Sequence, residues 1–181
     1  MVKKGERTNR IQTARIARTR FFFDDRNSYL VFLEKEIRKA IVREKKKGFV
    51  ASFRLNGTSD IAWEEIGVPQ KFPGSQFYDY TKNPERYAAF LNGDLPANYH
   101  LTFSRSEENA DIAEEFVRQG GNATIVFYPE IPAEYRGLPV FNGDNSDFRP
   151  ADPSGHWIGL KFKGRIFRRN NAIESGFCVS V

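Results

Sequence analysis

Apolar residues recur at three- and four-residue steps through Leu30, Leu33, Ile37 and Ile41, a spacing that predicts a helix over residues 27–47. Asn27 or Ser28 can cap its start, Glu34 precedes Arg38 by one turn, and Gly48 supplies its stop. The pattern then changes. Residues 49–55 are apolar and aromatic over seven positions, the length of a buried strand. Asn56-Gly57 marks a turn, but residues 60–66 alternate poorly and fit a short helix or loop better than the second arm of a hairpin. Residues 76–80 predict a second strand, and Asn83-Pro84 opens a helix that runs to about Leu91. Residues 99–103 repeat the pattern. Ser106 then stands as the cap of a helix carrying Ile112, Phe116 and Val117, which Gly120-Gly121 ends. A further strand is predicted over 123–127, a loop rich in proline and glycine over 129–152, and the last strand over 156–162.

Strands that alternate with helices imply a parallel sheet, because parallel neighbours need a crossover and the crossover helix covers the sheet. The expected fold is therefore α/β: a partial or open (β/α) barrel of about six strands with helices outside, preceded by a basic N-terminal segment. Six strands are too few for a complete eightfold barrel. The expected organisation is one domain over 1–181, with 1–26 as a basic arm or helix and 27–181 as the body.

Charge sharpens this division. The net charge is +5, but residues 1–47 hold 15 Lys and Arg against 6 acids, whereas residues 48–181 hold 13 against 17. A basic segment on a near-neutral body suits a nucleic-acid partner, and a solvated helix face is the plainer reading. In a helix Arg7, Arg10, Arg15 and Arg18 would fall within roughly 140° of one another, with Ile11 and Ala14 inside the same arc. Lys3 and Lys4 extend the basic run. No stretch is long and apolar enough to span a membrane, and the N-terminus lacks the apolar core of a secretory signal. The chain is expected to stay in the cytoplasm where it is made. Its one cysteine, Cys178, leaves no intrachain disulfide, and this chain alone cannot hold an iron–sulfur cluster or a cysteine-built zinc site.

In parallel α/β folds ligands sit beyond the carboxyl ends of the strands, so the polar residues at those ends are the site candidates. The first supplies Arg54, Asn56, Thr58, Ser59 and Asp60; the second Asp79, Tyr80, Thr81 and Lys82; the third Ser104, Arg105 and Ser106. Hydroxyls and cations at helix starts suit a phosphate or carboxylate. Capping is the simpler role for Asn83 and Ser106. Pairing is the simpler role for Arg54 with Asp60. Asp60 and Asp79 are the candidate bases and Lys82 the candidate electrostatic stabiliser if the pocket is catalytic. Arg54, Asn56, Ser59, Tyr80, Thr81, Ser104 and Arg105 are the candidate ligand contacts.

Other motifs are missing. The chain has no phosphate-binding glycine loop ending in Lys-Ser or Lys-Thr, no G-x-G-x-x-G after a strand, no H-E-x-x-H and no G-x-S-x-G. His100 falls within a predicted strand and reads as a satisfied interior imidazole. Cys178 reads as a packed thiol with no cation beside it. Asp144, Asp147, Arg149 and Asp152 read as turn residues, since their spacing is not that of a calcium-binding loop. No metal site is expected.

The words RLNGTSD (residues 54–60), FYDYTKNPERY (77–87), NYHLTFSRSE (98–107), GLKFKG (159–164) and SGF (175–177) occur in this order along the chain. Together they resemble the gene-88-product family of tailed bacteriophages, whose biochemical role is not defined. That family is in turn distantly similar to the partial barrels of radical S-adenosylmethionine enzymes, because longer members carry a cysteine cluster ahead of the matched region. Nothing in this sequence corresponds to those cysteines. The resemblance implies a phage-type protein in the cytoplasm of its host, and groups the strand-end residues into one constellation. Two readings follow. One is a strand-end pocket for an anionic, nucleotide-like ligand, with no particular cofactor implied. The other is a nucleic-acid-binding or host-modulating protein acting through Lys3, Lys4, Arg7, Arg10, Arg15 and Arg18. Oligomeric state is not set by the sequence.

Overall fold

A computed structural model describes residues 10–181, apart from the side chains of residues 166 and 167. Two compact units divide at Ala51 and Ser52, and each is described by itself.

The first unit contains helices α1 (Arg10–Asp24) and α2 (Arg26–Lys45). They meet at Asp25, whose extended backbone interrupts the helix and lets its carboxylate accept a hydrogen bond from the Ser28 amide. The cap of α2 is thus Asp25 rather than the predicted Asn27 or Ser28. Phe22 packs edge-on against Tyr29 and lies under the Arg26 guanidinium, which holds the two helices at their junction. At the other end Gly48 takes φ +80°, and the Phe49 amide folds back to donate to the Glu44 carbonyl. This corrects the buried strand predicted over 49–55. Phe49 and Val50 are 65% and 78% exposed, and only Ser52–Phe53 (β1) joins a sheet, because the start of the apolar run is used to close α2.

The second unit is an α/β sheet with eight strands, two more than expected. After β1 come α3 (Trp63–Ile66), β2 (Gln76–Thr81), α4 (Pro84–Leu91), β3 (Tyr99–Ser104), α5 (Ala110–Arg118) and β4 (Ala123–Tyr128). The predicted loop 129–152 contains a hairpin of β5 (Glu134–Tyr135) and β6 (Leu138–Asn142), followed by two short 3-10 turns. The chain also continues past β7 (Trp157–Lys161), expected to be last, into α6 (Ile166–Glu174) and β8 (Cys178–Ser180). Short strands flanked by proline and glycine gave too little alternation to mark β5, β6 and β8. The strand order is β1-β2-β3-β4-β7-β6-β5, with β8 on β4, and every pair but β5 with β6 is parallel.

One edge of β4 is shared. Ala123 and Thr124 pair with the end of β3, and residues 126–128 of the same strand pair with β8. Arg105 sits at this fork, where its Nη1 donates to the carbonyls of Gly176 (2.9 Å) and Phe177 (3.2 Å) just ahead of β8. The core lies between the sheet and helices α4 and α5. Tyr87, Phe103 and Phe116 pack with ring centroids 4.8–5.4 Å apart. Ala113, Phe116 and Val117 recur at helical spacing and are buried, whereas Ser106 is not the cap of α5. The helix starts at Ala110, because the Asn109 amide side chain bonds back to the Ser104 carbonyl and the Ser106 amide and holds the intervening residues as a loop. No helix among the described residues is long and apolar enough to cross a membrane.

The Tyr87 hydroxyl clasps the α5–β4 turn from both sides. It donates to the Asn122 carbonyl (2.8 Å) and accepts from the Asn122 amide (2.7 Å). In Tyr87→Phe the carbonyl still accepts from Phe103, but the buried amide is left without its partner. The expected loss is about 1–3 kcal/mol of unfolding free energy, measured by urea denaturation.

Candidate functional site

β1, β2 and β3 are neighbouring parallel strands, so the segments that follow their carboxyl ends leave the sheet on the same side. A groove of about 410 Å³ opens there, lined by Arg54, Asn56, Gly57, Thr58, Ser59, Asp60, Tyr80, Thr81, Lys82 and Ser104. Two predicted residues are not among them. Arg105 follows Ser104 directly, but its guanidinium is spent on the turn before β8. Asp79 is fully buried, beneath the loop that follows β1.

Asn56 shapes the groove's floor. Its side-chain oxygen accepts from the Ser59 hydroxyl, the Ile61 amide and the Trp63 indole, and its amide nitrogen donates to the Ile61 carbonyl. One buried amide therefore closes the whole turn 56–61. Below it, Asp79 accepts from the Asn56 backbone amide at 2.8 Å and from the Tyr99 hydroxyl at 2.9 Å.

Arg86, in the first turns of α4, ties these pieces together. Its guanidinium makes a bidentate pair with Glu64 (2.6 and 2.8 Å), reaches Asp60 at 2.6 Å and donates to the Tyr99 hydroxyl at 2.7 Å. The other oxygen of Asp60 accepts from the Thr81 hydroxyl and the Lys82 amide, both at 2.9 Å. Asp60 therefore pairs with Arg86, not with Arg54 as spacing suggested. Arg54 instead lies over the Tyr80 ring, 4.4 Å from its centroid. Neither Arg54 nor Lys82 makes an ion pair among the described residues.

Sequence reasoning missed Arg86, Glu64 and Tyr99. Arg86 had one signal: it stands next to Tyr87 and one turn before Phe90, on a helix whose apolar side must be buried.

The electrostatics follow from burial. Burial pushes the Asp79 carboxyl up to about 6, against the opposing pull of its hydrogen bonds and of Arg86 and Arg54. Burial also works against the charge of Arg86, but Glu64, Tyr99 and Asp60 outweigh it and hold the guanidinium above its ordinary value. On the next strand His100 departs from the satisfied imidazole expected of it. Its Nε2 is buried with no hydrogen-bond partner, and burial, with Arg149 nearby, lowers it to about 4. Arg149 is buried and pairs with Asp152 at 3.0 Å, and Asp144 accepts from the Lys161 amide and the Lys163 ammonium. Those acids are ion-paired turn residues, and no group of three or more metal-ligating side chains occurs among the described residues. Cys178 does have a cation near it, Arg105, but burial prevails and raises its thiol.

Asp79 and His100 give opposite pH slopes. The folded Asp79 holds its proton above the unfolded value of 3.8, so its contribution is full below pH 4 and is lost as pH rises through 6. The folded His100 resists protonation below its unfolded value of 6.5, so its contribution is full above that pH and is lost towards pH 4. The two nearly cancel between about pH 4 and 6 in the native protein. Asp79→Asn is expected to leave a stability that falls on acidification across this window, by about 2–3 kcal/mol, and His100→Gln the reverse slope. Urea midpoints at half-unit pH steps measure both. Separately, Arg86→Met leaves Glu64 and Asp60 buried or half-buried without their cation, and is expected to cost about 3–5 kcal/mol, read from the same denaturation curves.

Comparison with known proteins gives one match. No curated protein and no solved structure matches the chain. The sequence model of the family described as Gene product 88 matches residues 2–181, a span that includes the groove, the Arg86 network and both helices of the first unit. The chain belongs to the Gene product 88 family.

Proposed function

We propose that the groove at the ends of β1, β2 and β3 binds a small anion of the phosphate or carboxylate class, with nucleotide-like compounds the best fit. The observation that carries this reading is the pair of cations, Arg54 and Lys82, that line one groove and make no ion pair among the described residues. The two acids at the groove's loop and floor are already engaged. Asp60 accepts on both oxygens, and Asp79 lies under the loop. An arriving anion therefore meets positive charge without displacing an internal partner. The guanidinium of Arg54 on Tyr80 adds a flat cationic surface for a planar ring, and the Thr58 and Ser104 hydroxyls add donors.

The same placement favours binding over catalysis. Asp60 and Asp79 act as positioning residues for the loop 56–61, and Lys82 as an anchor. We read the sheet as an open (β/α) barrel. This reading is supported by the parallel pairing of β1 to β4 and by the position of the groove, which is where such folds hold ligands. An iron–sulfur cluster of the kind held by radical S-adenosylmethionine enzymes does not fit these residues. Cys178 is a single buried thiol, and a cluster needs several thiolates. No step is assigned to it.

Isothermal titration with inorganic phosphate, AMP and ATP tests the reading. A nucleotide is expected to bind, and Arg54→Ala and Lys82→Ala each to weaken it about tenfold or more. Arg105→Gln is expected to keep the affinity. Absence of binding by all three ligands, or equal affinity in the wild type and both groove variants, overturns it.

A further inference from the structure

We propose that α1 together with the basic face of α2 is a binding surface for the phosphate backbone of duplex nucleic acid. The surface differs from the basic arm read in the sequence. Lys3, Lys4 and Arg7 lie outside the described residues, and the inference rests on residues further along.

Charge is the first observation. Over α1, Arg10 to Asp24, there are four arginines, Arg10, Arg15, Arg18 and Arg20, against one acid, Asp24 at its last position, and none of the four makes an ion pair among the described residues. Arg15 and Arg18 are one turn apart, so their like charges oppose the helix until something neutralises them. On α2 a face runs from Val31 to Lys46, where the described lining residues hold five cations against the acid Glu34; Arg38, Lys39 and Arg43 pair with Glu34, Glu36 and Glu44. Lys35 and Lys46 in that face make no ion pair among the described residues.

Helix energetics is the second. Phe22 is the one buried residue of α1, and a helix of fifteen residues is close to the length at which isolated helices are marginal in water. A polyanion laid along it removes the repulsion and adds charge-assisted hydrogen bonds. The helix is about 22 Å long, matching roughly six phosphates of one strand.

Two other occupants fit less well. A lipid surface requires the apolar side chains on one side, but Ile11, Ile16, Phe21 and Phe23 point in directions spread around α1. A second copy of the chain would set the cations around Val31 and Val42 against their own equivalents, because a twofold contact pairs like with like. Phosphate satisfies both helices.

Fluorescence anisotropy of the full chain with labelled 20-base-pair DNA and RNA duplexes tests this. Binding to at least one duplex is expected to weaken about 10²- to 10³-fold between 50 and 200 mM salt, as four to six phosphate contacts require. Arg15→Gln with Arg18→Gln, and Lys35→Gln with Lys39→Gln, are each expected to lower the salt slope by about two. Glutamine keeps the helix propensity, and circular dichroism confirms the fold. Lys71→Gln with Lys163→Gln removes the same charge from the sheet unit and is expected to leave the slope unchanged. Three results overturn the proposal: no duplex binding at 50 mM salt, equal loss in the control, or binding to phosphatidylserine vesicles but not to duplexes.

Discussion

The structure around the groove depends on the Arg86 guanidinium. It is a buried cation that reaches three elements at once: Glu64 on α3, Asp60 on the loop after β1, and Tyr99 on β3. Burying such a charge is costly unless its donors are met, and here they are met by two carboxylates and a phenol that is itself fixed by Asp79. The network therefore sets geometry more than it adds stability. Asp60 is pulled inward, its second oxygen holds the Thr81 hydroxyl and the Lys82 amide, and the strand end is pinned to the loop that faces it.

This arrangement has a consequence for charge in the groove. Since Arg86 absorbs the acids, the remaining cations at the rim, Arg54 and Lys82, are left to solvent and to whatever enters. A sheet whose acids outnumber its bases overall thus presents a locally positive end. The helical unit reaches a similar outcome by composition instead, with four arginines against one acid along α1. Both surfaces are positively charged, one at a groove and the other along a helix.

The fork in β4 explains why two adjacent residues in one sequence word part company. Ser104 ends β3 and opens on the groove, whereas Arg105 turns to the carbonyls of Gly176 and Phe177, 71 and 72 residues away just ahead of β8. An arginine beside a hydroxyl at a strand end has the look of a ligand contact. Its guanidinium instead donates to the Gly176 and Phe177 carbonyls of the turn before β8.

Local pattern alone was enough to mark α2, α4, α5 and strands β2, β3, β4 and β7, since each buries one periodic face and carries its own stop signals, such as Asn83-Pro84 or Gly120-Gly121. It also placed Arg54, Asn56, Ser59, Asp60, Tyr80, Thr81, Lys82 and Ser104 at strand ends, because parallel strands end together. What it did not contain was the choice of partner. Whether Asp60 takes Arg54 or Arg86, whether residues 49–55 extend a sheet or close a helix, and which strand Arg105 serves are settled by which groups arrive within 3 Å after folding. Periodicity reports the face a residue turns to the core, and it is blind to contacts between residues 20 to 70 positions apart, where the groove and its supporting charges are assembled.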